Sequence, residues 1–299
     1  MKKLVKRAIF ILLAFALTLG IATPVFAVND VDETPIVVYG ERLSDAQVEE
    51  VRDLLGVDDP DAVKEHIITG QDYATYIDGN PDANMYSSAK IIPKEEGYGI
   101  RINIVTPDNI TQVTSDMYAN ALLTAGVENA VVEVASPVRV TGESALSGIY
   151  KAYDAEGKQL DKERMIIANE ELEVATDLAG KEGLSQELVS ELLAEIKKAI
   201  SEQNPATKED IERIINEQLD KLEISLSPED RQLLIDLFEK MRDLDIDFDR
   251  IRNQLEDLAS TIKDRADELG IDEGFWEKVG NFIKDIFIAI GNFFSGLFN

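Results

Sequence analysis

The first constraint on chemistry is that the chain has one histidine, His66, and no cysteine. A serine triad or a histidine-rich zinc site needs more than that. No thiol chemistry exists, and His66 beside Ile67 and Ile68 reads as structural. Ser87-Ser88-Ala89-Lys90 fits Ser-x-x-Lys, in which a lysine deprotonates a serine. It falls on a predicted strand, however, where residues three apart face opposite sides, and no Lys-Thr-Gly follows. Gly142-Glu143-Ser144-Ala145-Leu146 lacks the second glycine of a nucleophile elbow, and Ser144 is expected in the first turn of a helix. Asp245, Asp247, Asp249 and Glu256 occupy calcium-loop positions, but Arg250 stands where that loop needs glycine. Alternation of Asp243 to Asp249 with Leu244, Ile246 and Phe248 equally describes a connector between helices. The residues therefore assign no catalytic group, no metal and no cofactor.

Polar side chains gather between Tyr98 and Tyr150. Tyr98, Asn103, Asn109, Thr114, Tyr118, Asn120 and Tyr150 form the candidate ligand-binding set, suited to a carbohydrate or peptide. Capping and turn chemistry accounts for the same residue types. A competing reading is a carboxylate-dependent hydrolase of envelope polymers that uses Glu128, Glu133 or Glu143. It requires two carboxyl groups about 5–10 Å apart across a cleft.

The elements that must position these residues divide by aromatic usage. All eight Tyr lie between Tyr39 and Tyr153, whereas Trp276 and every Phe beyond Phe26 lie between Phe238 and Phe298. The expected parts are an α+β domain over 28–180, a helical module over 184–270 and an amphipathic C-terminal helix over 274–299. In the first, Ile36–Tyr39 is a strand. Ser44 caps a helix with Gln47 as its box partner. Val63–Ile68 is a strand and Thr69–Ile77 a helix. Tyr86–Ile92 and Tyr98–Val105 are strands expected to form an antiparallel hairpin, Ile100, Ile102 and Ile104 alternating with Arg101 and Asn103. Thr111–Leu123 is a helix, Ala130–Ala135 an apolar strand, and Ser144–Tyr153 and Arg164–Ala179 are helices. This order predicts a small mixed or antiparallel sheet with packed helices, not a doubly wound parallel sheet.

Four amphipathic helices follow, started at Ser185, Thr207 and Ser227-Pro228 and, for the last, carrying Ile251, Leu255, Leu258 and Ile262. The tail then presents Phe275, Trp276, Phe282, Ile283, Ile286, Phe287, Ile290, Phe293, Phe294 and Leu297 as a broad stripe on a helix about 36 Å long. Lys284 and Asp285 at its middle make it a poor membrane span. Its stripe suits a membrane interface, docking on the helical module, or pairing with a second copy.

Residues 1–27 read as a secretory leader: Lys2, Lys3, Lys6 and Arg7, an apolar run over Ile9–Leu19, then Val25-Phe26-Ala27 at the cleavage site. The whole chain carries 30 basic and 58 acidic residues, net −28. Losing four basic and no acidic residues with the leader leaves 26 against 58, or −32. That balance excludes a nucleic-acid partner, since no basic surface exists to displace phosphate counterions.

Several short motifs occur together: Tyr98-Gly99-Ile100, Thr111 to Gly126, Ala135-Ser136-Pro137-Val138 and Ser144 to Tyr153. They resemble the signature of the YpuA-like family of secreted Gram-positive bacterial proteins, a domain of unknown function, over about Ile36 to Gly180. The family pattern has Gly-Thr-Ala-Ala-Leu-Thr-Gly where this chain has Gly142 to Gly148. The resemblance implies secretion and brings no catalytic residues. The resulting expectation is a non-enzymatic, exported cell-envelope binding protein, secreted or held at the outer face of the cell membrane, whose tail meets a membrane or a protein partner.

Overall fold

The computed structural model describes residues 31–181 and 184–268, with side chains to Asp264. The expected leader and the aromatic tail lie outside these residues. From Asp32 onward the described chain gathers in one compact unit. It is α+β, with five strands and nine helices among the described residues. In chain order these are β1 (Ile36–Gly40), α1 (Asp45–Leu54), β2 (Lys64–Ile68), α2 (Gly70–Ile77), β3 (Ser88–Pro93), β4 (Ile100–Ile104), α3 (Ser115–Ala125), β5 (Ala130–Ala135), α4 (Ser144–Ala155), α5 (Lys162–Ala179), α6 (Gln186–Gln203), α7 (Lys208–Lys221), α8 (Pro228–Asp243) and α9 (Arg252–Glu268).

Helix starts follow local chemistry. Hydroxyls of Ser44, Thr69, Thr114, Ser185, Thr207 and Ser227 each accept from the backbone N–H three residues on. Each such cap contributes about 1 kcal/mol. α3 starts later than the sequence suggests. Thr111 N–H donates to Val140 O, and the N–H groups of Gln112 and Val113 to Thr141 O, so this segment pairs with the 140–141 strip before the helix begins.

The sheet order is β2-β1-β3-β5-β4. β1–β2 and β4–β5 are parallel, and β1–β3 and β3–β5 antiparallel. The expected β3–β4 hairpin is therefore overturned, because β5 lies between them. β5 is Ala-Val-Val-Glu-Val-Ala, with Ala130, Val132, Val134 and Ala135 fully buried, the composition of a central strand. β4 has one half-buried face, which suits an edge. Asn129 holds the link open: its carbonyl accepts from Lys94 N–H and its Oδ1 from Gly99 N–H, both at 3.0 Å. The ends of the β3–β4 connection are thus kept on either side of β5. Gly97 and Gly99, at φ +88° and +82°, give the link its left-handed bends.

α1 covers one sheet face, burying Val51 and Leu55 against Val37, Tyr39 and Ala135. α3 and α4 cover the other. Behind them α5 to α9 complete a continuous core that runs from Ile36 to Leu255, with α5 and α6, on either side of 182–183, both contributing to it. Each fully buried Val, Leu or Ile there is worth about 1.5–3 kcal/mol.

Candidate functional site

A groove follows the outer edge of β4. It has a volume of about 570 Å³, walled by Tyr98 to Ile102 on one side, Ser115, Asp116 and Ala119 of α3 at its base, and Gln254, Asp257, Leu258 and Thr261 of α9 opposite. Tyr98 is exposed, with the Arg101 guanidinium 4.7 Å and the Lys94 ammonium 5.7 Å from its ring centroid. Such cation–ring contacts contribute about 0.5–1 kcal/mol each at exposed sites. Lys94 also pairs with Glu33 at 2.7 Å. Thr114 caps α3 and so fixes where Ser115 and Asp116 stand. On the far wall, Gln254 Oε1 is buried and has no hydrogen-bond partner among the described residues. An orphaned buried acceptor costs about 1–3 kcal/mol.

The seven candidate residues do not converge on this groove. Tyr98 lines it. Asn103 and Thr114 border a shallower cleft that shares Ser115 and Asp116 with it. Asn109 is spent on structure, its amide donating to Ser136 O at 2.7 Å. Tyr118, Asn120 and Tyr150 are interior. The Tyr118 hydroxyl donates to Gly142 O, and Asn120 Nδ2 donates to Ser190 O at 3.1 Å. Burial pushes both buried phenols above the ordinary tyrosine range, with Glu143 adding to Tyr118 and Glu171 to Tyr150.

Ser87 lies just before β3 and Lys90 on it, and the two reach opposite sides of the sheet. Ser87 Oγ meets Ser144 Oγ at 3.3 Å, while Lys90 pairs with Glu133 and donates to Leu55 O on the α1 side. Ser144 opens α4. The candidate carboxylates also part company. Glu128 pairs with Arg250 at 3.0 Å, Glu133 with Lys90, and Glu143 accepts from Thr176 Oγ1 at 3.5 Å. Glu143 does share a depression with Glu173, whose pKa is raised by burial and then by the charges of Glu143 and Glu170. In the Asp243–Asp249 stretch each of three carboxylates has a local task. Asp243 pairs with Arg242, Asp249 with Arg252, and Asp247 accepts from Arg250 N–H at 3.2 Å.

Sequence reasoning missed the most buried polar cluster. Lys197 of α6 and Glu171 of α5 are 0% and 1% exposed at their side chains and pair directly. Lys197 Nζ also donates to Asn120 O at 2.8 Å, and Thr124 Oγ1 to Glu171 Oε2 at 2.6 Å. Burial lowers the Lys197 pKa and the Glu171 charge pulls it back up. The signal was present: Lys197 falls in the apolar stripe Leu193, Ile196, Ile200, where a solvated lysine has no place.

A family model described as a protein of unknown function (DUF1002) matches residues 39–258. The chain is 31% identical over 278 residues to the uncharacterized protein YpuA of Bacillus subtilis (strain 168), covering 90% of this chain and 91% of that one. No solved structure matches.

Proposed function

The chain belongs to the DUF1002 family of proteins of unknown function, and from that premise we propose that it is a non-enzymatic, exported interaction protein of the cell envelope. Its recognition site is the groove between β4, the start of α3 and α9. The observation that carries this reading is the groove wall itself: Gln254 has a buried acceptor without a donor among the described residues, beside Arg101 and Tyr98 at the rim. Residues 1–27 direct export, and the aromatic stripe over 274–299 adds a membrane or protein contact at the outer face of the cell. Glu128 and Glu133 stand apart, held by Arg250 and Lys90, which favours binding over hydrolysis by that pair.

The test is fractionation of a Gram-positive host expressing the full chain into medium, wall and membrane. Wild type is expected outside the cytoplasm and retained on the envelope, with retention falling in Tyr98→Ala/Arg101→Ala. Deletion of 1–27 is expected to keep the protein inside. Liposome flotation with and without 274–299 separates the tail's contribution. Cytoplasmic recovery of the full chain, or envelope retention unaffected by both the groove variant and tail loss, overturns the reading.

A further inference from the structure

The two edges of the sheet are treated differently. β2 carries Lys64, Glu65 and His66. Lys64 is paired with Asp32 and Glu156, and Glu65 with Arg52, so charge guards that edge. β4 has no proline, and Arg101 is its sole charge. Ala130 N–H donates to Gly99 O and Val105 N–H to Val134 O, so the odd-numbered residues of β4 turn their backbone groups to β5. Those of Ile100, Ile102 and Ile104 point away, without partners among the described residues. Ile100 and Ile102 line the groove and Ile104 borders the adjoining cleft, so this edge runs about 13 Å, a length that matches about four to five extended residues.

We propose that an extended, basic peptide adds as a sixth strand to the outer edge of β4, between β4 and α9. This rests on the groove being the recognition site. Peptide N–H and C=O groups complete the ladder with Ile100, Ile102 and Ile104. Alternate side chains meet Ile100, Ile102, Ala119 and Leu258. Those between them fall on the face of Arg101 and Asn103, and Asp257 stands beside Leu258 in the groove wall. A net charge of −28 favours a cationic segment over an anionic one in the approach to this protein.

The experiment titrates the purified full chain with acetyl-Lys-Val-Lys-Val-Lys-Val-Lys-amide while following backbone amide exchange. Ile102 and Ile104 are expected to exchange at least about tenfold more slowly at saturation. The glutamate counterpart, and the lysine peptide methylated on alternate backbone nitrogens, are expected to bind at least about tenfold more weakly. Ile102→Pro removes one outward N–H and none of the bonds made by Arg101 and Asn103, so an edge strand tolerates it. It is expected to weaken binding about tenfold, whereas Ile102→Ala, which loses similar packing but keeps the N–H, changes it less than about threefold. Equal weakening by the two variants, binding without edge-amide protection, or full binding by the methylated peptide overturns strand addition and leaves the groove as a site for another ligand. No binding of the lysine peptide overturns it as well. The recognition reading itself then stands or falls on whether Tyr98→Ala/Arg101→Ala still reduces envelope retention.

Discussion

The C-terminal half of α3 carries Asn120 and Thr124 into contact with Lys197 and Glu171, and these polar groups find partners inside the core. One or two turns earlier the same helix borders the groove with Ser115, Asp116 and Ala119, opposite a Gln254 oxygen that has none among the described residues. The first region is a closed seam, the second an open one. A saturated buried network fixes how α3, α5 and α6 register against each other, and its polarity is consumed in doing so. The Gln254 oxygen, near a strand edge without partners among the described residues, is the polarity there left to act on something else.

The largest effect expected is in the closed seam. Lys197→Met leaves the Glu171 carboxylate buried without its countercharge and should lower stability by about 3–5 kcal/mol in denaturant melts. Lys197→Met combined with Glu171→Leu should recover most of that loss. A single variant as stable as wild type would break the contrast. Tyr118→Phe comes next. It removes one of two donors to Gly142 O, which keeps Ala145 N–H, so the loss is that of one buried hydrogen bond, about 0.5–1.5 kcal/mol.

The interior phenols also give an alkaline signature. Tyr118 and Tyr150 have folded pKa values raised by burial above the ordinary value of about 10. A raised folded pKa means the native state holds its proton more tightly. The associated stability is complete below about pH 10 and is lost as pH rises past it. Melting temperature should therefore fall as pH rises beyond about 10, less steeply in Tyr150→Phe. Parallel slopes for the two proteins would show that Tyr150 does not contribute.

The smallest effect on stability belongs to the open region. Tyr98→Ala and Arg101→Ala should change stability by no more than about 0.5–1 kcal/mol, the worth of the exposed cation–ring contact they remove, while reducing envelope retention. A loss of stability as large as that of Lys197→Met would make the groove residues structural and erase the distinction.

Local chemistry was legible and non-local pairing was not. Ser44 with Gln47, Thr207 with Asp210 and Ser227 with Pro228 mark helix starts within a few residues, and each cap is present. The position of β5 between β3 and β4 depends on contacts 30 to 47 residues apart, which no window around Ile100 contains. The site was half legible for a related reason. Tyr98, Asn103 and Thr114 stand on one exposed surface, but Asn120 and Tyr150 are polar residues on helices that other helices cover. α6 and α5 decide that burial, and nothing beside Asn120 announces it.

The insertion of β5 has a kinetic consequence. As the chain emerges, β3 and β4 are complete about 25 residues before β5 follows. During that interval the inner edge of β4 has only β3 within short reach, and the alternating pattern of Ile100–Ile104 makes that pairing favourable. The hairpin absent from the native sheet is therefore its nearest competitor on the way there, and Asn129, which spans the link between the two strands, stands at the point where the trap is opened.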